Sequence, residues 1–490
     1  MPQMKTPGVY INETDALPNS VVEVPTAIAA FIGYTEKAAR AGQDLTNIPT
    51  RISSLAGFTA LFGGPPKIDY NFSLAANGRP AIEPVRKTQF LLYYGLKLFF
   101  DNGGTDCWIV SCGSYVDDEN NPVTKQASDV TAALNQLKQQ PEPAILVVPD
   151  AVLFDVDAWG QISRDCLNHC AELKSRITIL DVFAGDKRRD HSDADVIKYF
   201  RNAIEAGNLS FGTAYYPWVN TSLISAHDAD YTKFTSQARA ALANYLKAEE
   251  PNGPATALLD KLTAADQASD AAASQTHSAL TAASPAYKSL MTDLLTAMNL
   301  MPPAAAMAGV YARTDNEIGV FKAPANTGIV SVTSPAVSIS HEDQEDLNVP
   351  LDGKAVNAIR TFTGRGVLVW GARTLDGNNQ DWRYINVRRT IIMFEQSIAA
   401  ACGAYVFAPN TAATWVTVRT MLENFLNNQW QAGALAGATP AEAYTVNVGL
   451  GSTMTGNDIL DGYMRATVKV AVVRPAEFIV ITFQQKMQIS

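Results

Sequence analysis

The sequence predicts a mixed α/β and α+β chain of more than one domain, and three observations carry that expectation. Helical and strand patterns alternate from about Val85 to Trp218, the order that builds a largely parallel sheet. Ser236 to Leu300 is Ala-rich with few aromatics, a composition that favours helix. The last third returns to helices and then to strands of alternating polarity. At 490 residues the chain also exceeds what one hydrophobic core usually organises.

From Thr6 to Thr35 the chain reads "TPGVYINETDALPNSVVEVPTAIAAFIGYT". Val9, Tyr10 and Ile11 form a short strand with no hairpin partner nearby, and a Pro18-Asn19-Ser20 loop leads to a second, more apolar strand. In "VRKTQFLLYYGLKLFFDNGG", Phe90, Leu91, Tyr94 and Leu98 recur at helical spacing and Gly103-Gly104 ends the helix. "CWIVSC" follows as a buried strand, Gln126–Gln139 as a helix and "AILVVPDA" as a strand. Asp157–Lys174 reads as helix, "ITILDVFA" as strand, Asp193–Glu205 as helix and "SFGTAYYPWV" as strand. Ser236–Leu300 reads as two or three helices, interrupted by "PNGP" and Pro285.

Beyond Leu300, "RGVLVWGARTL" is a strand, and Val387, Ile391, Phe394, Ile398, Cys402 and Tyr405 mark one face of a helix. A further helix, Ala412–Gln431, places Trp415, Val418, Leu422 and Phe425 on one stripe. "YTVNVGL", "RATVKVAVVRP" and "EFIVITFQQKMQIS" complete the chain as strands. In the middle one, Val468, Val470 and Val472 alternate with Thr467, Lys469 and Ala471, as in a half-buried antiparallel strand.

Composition excludes several function classes. A net charge of −10 offers no basic stripe for nucleic acid. No apolar run approaches the ~18 residues a membrane span needs, and "MPQMKTPGVY" has no apolar core of a secretory signal. Five cysteines, an odd number, point to reduced thiols. "CLNHC" (Cys166, His169, Cys170) lacks the second ligand pair of a zinc site. "LDGKAV" is not a phosphate-binding loop, "HEDQE" lacks the second His of a zinc protease, and "GLGSTMTG" has the wrong spacing for a nucleophile elbow. No catalytic, metal or cofactor residue is assigned.

The best catalytic arrangement uses strand ends. Ligands of doubly wound sheets bind outside the carboxyl ends of the strands, where Asp150 and Asp181 stand with Lys187, Arg188 and Arg189 close behind. Two carboxylates and a basic run would make an anion or metal site. Against that, strand-end Asp residues commonly cap helices, and basic runs commonly face solvent.

Many of these segments, in this order, resemble the contractile tail sheath proteins of phages and of extracellular contractile injection systems of the antifeeding-prophage or virulence-cassette type. The similarity includes "TPGVYINE", "AIAAFIGYT", "FFDNGGTDCWIV", "PAILVVPDA", "SFGTAYYPW", "PPAAAMAGVYARTDNEIGVFKAPAN", "VNAIRTFTGRGVLVWGARTL" and "WRYINVRRTIIMFEQSI". It implies an inner α+β domain formed by both termini, an outer α/β domain and a variable helical insertion. On this chain the divisions fall at 1–20 (strand arm), 21–235 (outer domain), 236–300 (insertion), 301–345 (return to the outer domain), 346–475 (inner core) and 476–490 (strand arm).

The resemblance further implies a structural, non-enzymatic subunit that needs no cofactor. Its partners would be copies of itself in six-start hexameric layers, an inner tube protein, baseplate and terminal cap proteins, and sheath paralogues, without nucleic acid or membrane insertion. Terminal arms would add strands to neighbouring subunits through Val9, Tyr10 and Ile11 at one end and Phe478, Ile479, Val480, Ile481 and Phe483 at the other. Pro18, Asn19, Arg474 and Pro475 would be the arm hinges, and Arg419, Glu423, Asn427 and Asn428 a tube-facing helix surface. Assembly would occur in the producing bacterial cytoplasm, and the product would be a phage tail or a released extracellular particle. Two other readings stand beside this one: an α/β enzyme using Asp150 and Asp181, and a non-contractile virion or baseplate subunit.

Overall fold

Strand β1 (Ala29–Thr35) is buried at every position, as expected for an unbroken apolar run at the centre of a parallel sheet. The computed structural model describes residues 20–251, 253–263 and 269–480. Around β1 the chain adds β2 (Thr50–Ile52), β3 (Cys107–Ser114), β4 (Ile145–Val147), β5 (Ile177–Asp181), β6 (Gly212–Tyr216), β7 (Asn357–Phe362) and β8 (Gly366–Trp370). Their order across the sheet is β8-β7-β6-β5-β4-β1-β3-β2. The six inner strands run parallel and the two edge strands antiparallel.

The run β3-β1-β4-β5-β6 is a doubly wound order: the second parallel strand lies on one side of the first, and the later ones lie on the other. Right-handed crossovers then place the connecting helices on opposite faces. Helices α1 (Leu92–Asp101), α2 (Ala127–Leu137), α3 (Val156–Leu173) and α4 (Val196–Ala203) alternate with these strands along the chain. Four helices follow, α5 (Ser236–Glu249), α6 (Thr256–Thr263), α7 (Asp270–Ala283) and α8 (Pro285–Met298), where the sequence suggested two or three.

These four helices share a core of their own. Leu242, Leu246, Leu259, Leu280, Tyr287, Leu290 and Leu294 pack with Tyr70 and Phe72, which belong to a hairpin formed by Tyr70–Leu74 and Pro80–Pro84. The insertion is therefore completed by a hairpin lying far upstream in sequence.

Helix α9 (Ala304–Glu317) is buried along most of its length and packs against α1. Its small residues permit that approach: a Cβ on Gly309 would stand 2.4 Å from the carbonyl oxygen of Phe99. After α10 (His341–Asn348), the chain enters β7 and β8.

The expected inner core beginning at 346 is divided here. One compact unit comprises residues 25–389; the other comprises, of the described residues, 20–24 and 390–480. The reason is strand pairing: β7 lies beside β6, with Tyr215 opposite Asn357, and the Asn357 amide donates to Thr213 Oγ1 (2.9 Å) and to the Ala214 carbonyl (3.1 Å). Residues 357–370 thus complete the large sheet.

The division falls within α11 (Ile385–Gly403). In the smaller unit, Val418, Met421, Leu422, Phe425 and Leu426 form the buried stripe of α12 (Ala412–Gln431), and Phe394 meets Phe425 edge to face with ring centroids 5.8 Å apart. The last two strands, β9 (Tyr444–Val448) and β10 (Ala466–Val470), pair only with each other among the described residues.

Candidate strand-addition site

The β9–β10 hairpin leaves backbone groups unused. Tyr444 is paired with Val470, Val446 with Val468 and Val448 with Ala466. The phase of the ladder follows from Ala471, whose N–H donates to the Ala443 carbonyl at 2.9 Å. Antiparallel ladders alternate between hydrogen-bonded and non-hydrogen-bonded pairs, so Lys469 and Thr467 face β9, while the N–H and C=O of Val468 and Val470 point to the far edge. By the same alternation, Val446 and Val448 point outward from β9. Among the described residues these four make no further backbone hydrogen bond.

One face of the hairpin is held. Helix α12 packs on β9, and Val446 is buried while Val468 and Val470 are half-buried. Thr445, Thr467 and Lys469 face solvent. Each valine thus combines a side chain that packs inward with backbone groups that point sideways, the arrangement an incoming strand needs. The sequence marked the alternation of these valines but did not single them out as a receiving edge.

The end of the segment after the hairpin is open to solvent. Phe478, Ile479 and Val480 are 71 %, 79 % and 88 % exposed and pair with no strand among the described residues. Arg474 is exposed and Pro475 half-buried. Val9, Tyr10, Ile11, Pro18, Asn19, Ile481 and Phe483 lie outside the described residues. Opposite the buried stripe of α12, Arg419 pairs with Glu423 one turn on (2.8 Å); Asn427 is half-buried and Asn428 exposed.

The carboxylates of the enzymatic alternative are used up in the fold. Asp150 is fully buried and accepts from the N–H groups of Leu91 (2.6 Å) and Tyr34 (3.0 Å). Leu91 is the N-cap of α1 and has no side chain to cap it. Asp181 accepts from the N–H of Ala304 at 2.7 Å, the first residue of α9, whose N-cap, Pro303, likewise has no capping side chain. Each strand-end Asp therefore supplies, from a distance, the cap that its helix lacks. Burial pushes the Asp150 carboxyl up, against the pull of the Leu91 and Tyr34 amides. The same burial takes Asp181 up to about 7, opposed by the Ala304 amide.

The basic run divides. Lys187 and Arg188 are exposed, whereas Arg189 is paired with Asp195 (3.4 Å) and Asp346 (2.7 Å). Cys166 and Cys170 are buried on α3, and burial raises both thiols well above their ordinary range. Among the described residues no group of acidic, Cys or His side chains is arranged to hold a metal ion, and no helix is long and apolar enough to cross a membrane.

Comparison with known proteins points to the same part of the chain. Residues 377–486 match the family described as phage tail sheath C-terminal domain. A stretch of 119 residues is 31 % identical to the tail sheath protein of Salmonella phage ViI, covering 24 % of this chain and 18 % of that protein. Solved structures also match over nearly the whole length, among them the following three. The helical sheath of the anti-feeding prophage in the contracted state matches at 26 % identity and TM-score 0.64, over 99 % of this chain and 100 % of that one. A chain of the anti-feeding prophage baseplate matches at 26 % identity and TM-score 0.61, over 99 % and 100 %. The contracted PVC sheath complex, from an extracellular contractile injection system, matches at 25 % identity and TM-score 0.59, over 99 % and 98 %. The C-terminal sheath-domain match and these full-length likenesses make the chain similar to the sheath proteins of contractile phage tails and injection systems.

Proposed function

We propose that this chain is the sheath subunit of a contractile injection particle or phage tail. It assembles with copies of itself into a helical cylinder of six-start hexameric layers around an inner tube, and contracts to drive that tube through a target envelope. The observation that carries the proposal is the β9–β10 hairpin, a two-stranded sheet with both outer edges open among the described residues. It lies close in sequence to the exposed apolar residues Phe478, Ile479 and Val480.

Two strands alone are marginal in water, and added strands stabilise them. A neighbour's arm therefore completes the sheet with backbone hydrogen bonds, and the alternating side chains set its register. A contact of this kind joins unlike surfaces, and where it does not close into a ring it propagates as an open helix. The N-terminal arm around Val9, Tyr10 and Ile11 and the C-terminal arm through Phe478, Ile479, Val480, Ile481 and Phe483 are the donors. Pro18, Asn19, Arg474 and Pro475 are the points about which the arms swing during rigid-body movement of subunits. Arg419, Glu423, Asn427 and Asn428 face the tube. Baseplate and cap proteins bound the cylinder, and assembly takes place in the cytoplasm of the producing cell.

Electron microscopy of the chain produced with its tube partner tests the reading. Full-length protein is expected to form tubes or stacked rings, whereas chains lacking residues 1–18 or 477–490 stay as folded, unassembled subunits. Normal assembly of either truncation would refute arm exchange. Finding a single lattice in place of long and short forms would favour a non-contractile role.

A further inference from the structure

The chain passes between its two compact units twice, at Val24–Pro25 and at Arg389–Thr390. Inside the larger unit, both crossings end on one carboxylate. The Arg389 guanidinium donates to Asp315 Oδ1 at 2.8 Å and to Oδ2 at 2.6 Å, and it also donates to the Thr26 carbonyl at 2.9 Å. Thr26 Oγ1 donates to Asp315 Oδ2 at 2.6 Å. The pair is nearly sealed from water, with the Arg389 and Asp315 side chains 4 % and 3 % exposed.

The surroundings hold this fork in place. The guanidinium lies 4.9 Å from the ring centre of Tyr311, one turn before Asp315 on α9, and the Tyr311 hydroxyl is 2.7 Å from that of Tyr215 on β6. The neighbouring Arg388 fastens α11 independently, between the rings of Phe211 (3.8 Å) and Trp382 (4.1 Å). Neither of those rings is near the first crossing in sequence. Of the two arginines, it is Arg389 that reaches across to Thr26.

We propose that Asp315 is a tie that couples the two crossings, so that tension arriving on either is shared with the other and delivered to α9 and the sheet beneath it. A bidentate Arg–carboxylate pair suits this task, because its planar fork resists shear in a way a single point charge does not. The mechanical consequence rests on the contractile reading above. The coupling itself does not, and it is measurable on the unassembled subunit.

Hydrogen exchange on the full chain provides the test. Asp315→Asn keeps the shape and removes the charge; amide exchange is expected to speed up together at 25–28 and at 388–392, by about tenfold, while β4 and β5 keep their protection. Thr26→Val removes only one hydroxyl and is the milder variant should the first not fold. It changes nothing on α11, yet is expected to raise exchange at 388–392 as well as at 25–28. Arg388→Ala is expected to loosen 386–392 alone. A Thr26→Val effect confined to its own segment, or unchanged exchange in Asp315→Asn, would overturn the tie. If the subunit never assembles, the contractile reading fails while this result still stands.

Discussion

Asp181→Asn separates a buried cap from a site of chemistry. Burial raises the Asp181 carboxyl from an ordinary aspartate value of 3.8 to about 7, so the folded state binds a proton that the unfolded state has already released. Stability from this group is therefore greatest below pH ~4 and is lost as pH rises towards 7. Between pH 5 and pH 8 the difference comes to about 2.5 kcal/mol. The N-terminal dipole of α9 favours the anion by roughly 0.3–1 kcal/mol, which brings the expected loss nearer 2 kcal/mol.

Asparagine offers the same acceptor to the Ala304 amide and carries no charge, so it abolishes this slope. Urea unfolding of the larger unit, followed at pH 5 and pH 8, measures the effect. The variant is expected to gain about 2 kcal/mol on the wild type at pH 8 relative to pH 5. An equal loss at both pH values would refute the reasoning, since it would mean that the carboxylate is ionised and stabilising. A site open to solvent ligands would behave in that way.

Three further outcomes are expected. Val468→Pro removes an outward N–H from β10 and leaves the β9 pairing intact, so the subunit should fold and fail to assemble, whereas Lys469→Pro removes a bonded N–H and should unravel the hairpin itself; circular dichroism and electron microscopy distinguish the two. Phe425→Ala empties the ring that meets Phe394 edge to face and should cost the smaller unit about 3–5 kcal/mol, read by denaturant unfolding. Deleting 236–298 alone should leave Tyr70 and Phe72 without their core and give an aggregating protein by light scattering; replacing the 70–84 hairpin with a short polar loop as well should restore a soluble subunit.

Much of the architecture was legible in the residues because it is local. The period of the apolar positions located α12 at Ala412–Gln431, and the apolar runs located β3, β4, β5 and β6 in a largely parallel sheet, whereas the central place of β1 came only from the pairing. The alternation of Val468 and Val470 with Thr467 and Lys469 marked a half-buried strand, as observed. The fourth helix of the insertion was less visible, since Ala-rich sequence carries no strong period by which to count turns.

Other features depended on partners distant in sequence. Strands 357–370 lie after the insertion and read like the start of a new domain, yet Asn357 bonds to residues 144 and 143 positions earlier and joins them to the large sheet. Asp150 and Asp181 carry no mark that distinguishes a catalytic carboxylate from a structural one. Only the arrival of Leu91 and Ala304, at helix starts with no caps of their own, decides the matter. The open edges of β9 and β10 are likewise a property of pairing, because a strand's pattern tells which face is buried but not which edge is free. The sequence by itself determined which segments form helices and strands and which of their faces avoid water. The tertiary structure decided which backbone and carboxylate groups were already satisfied, because a hydrogen bond between distant residues leaves no period in either of them.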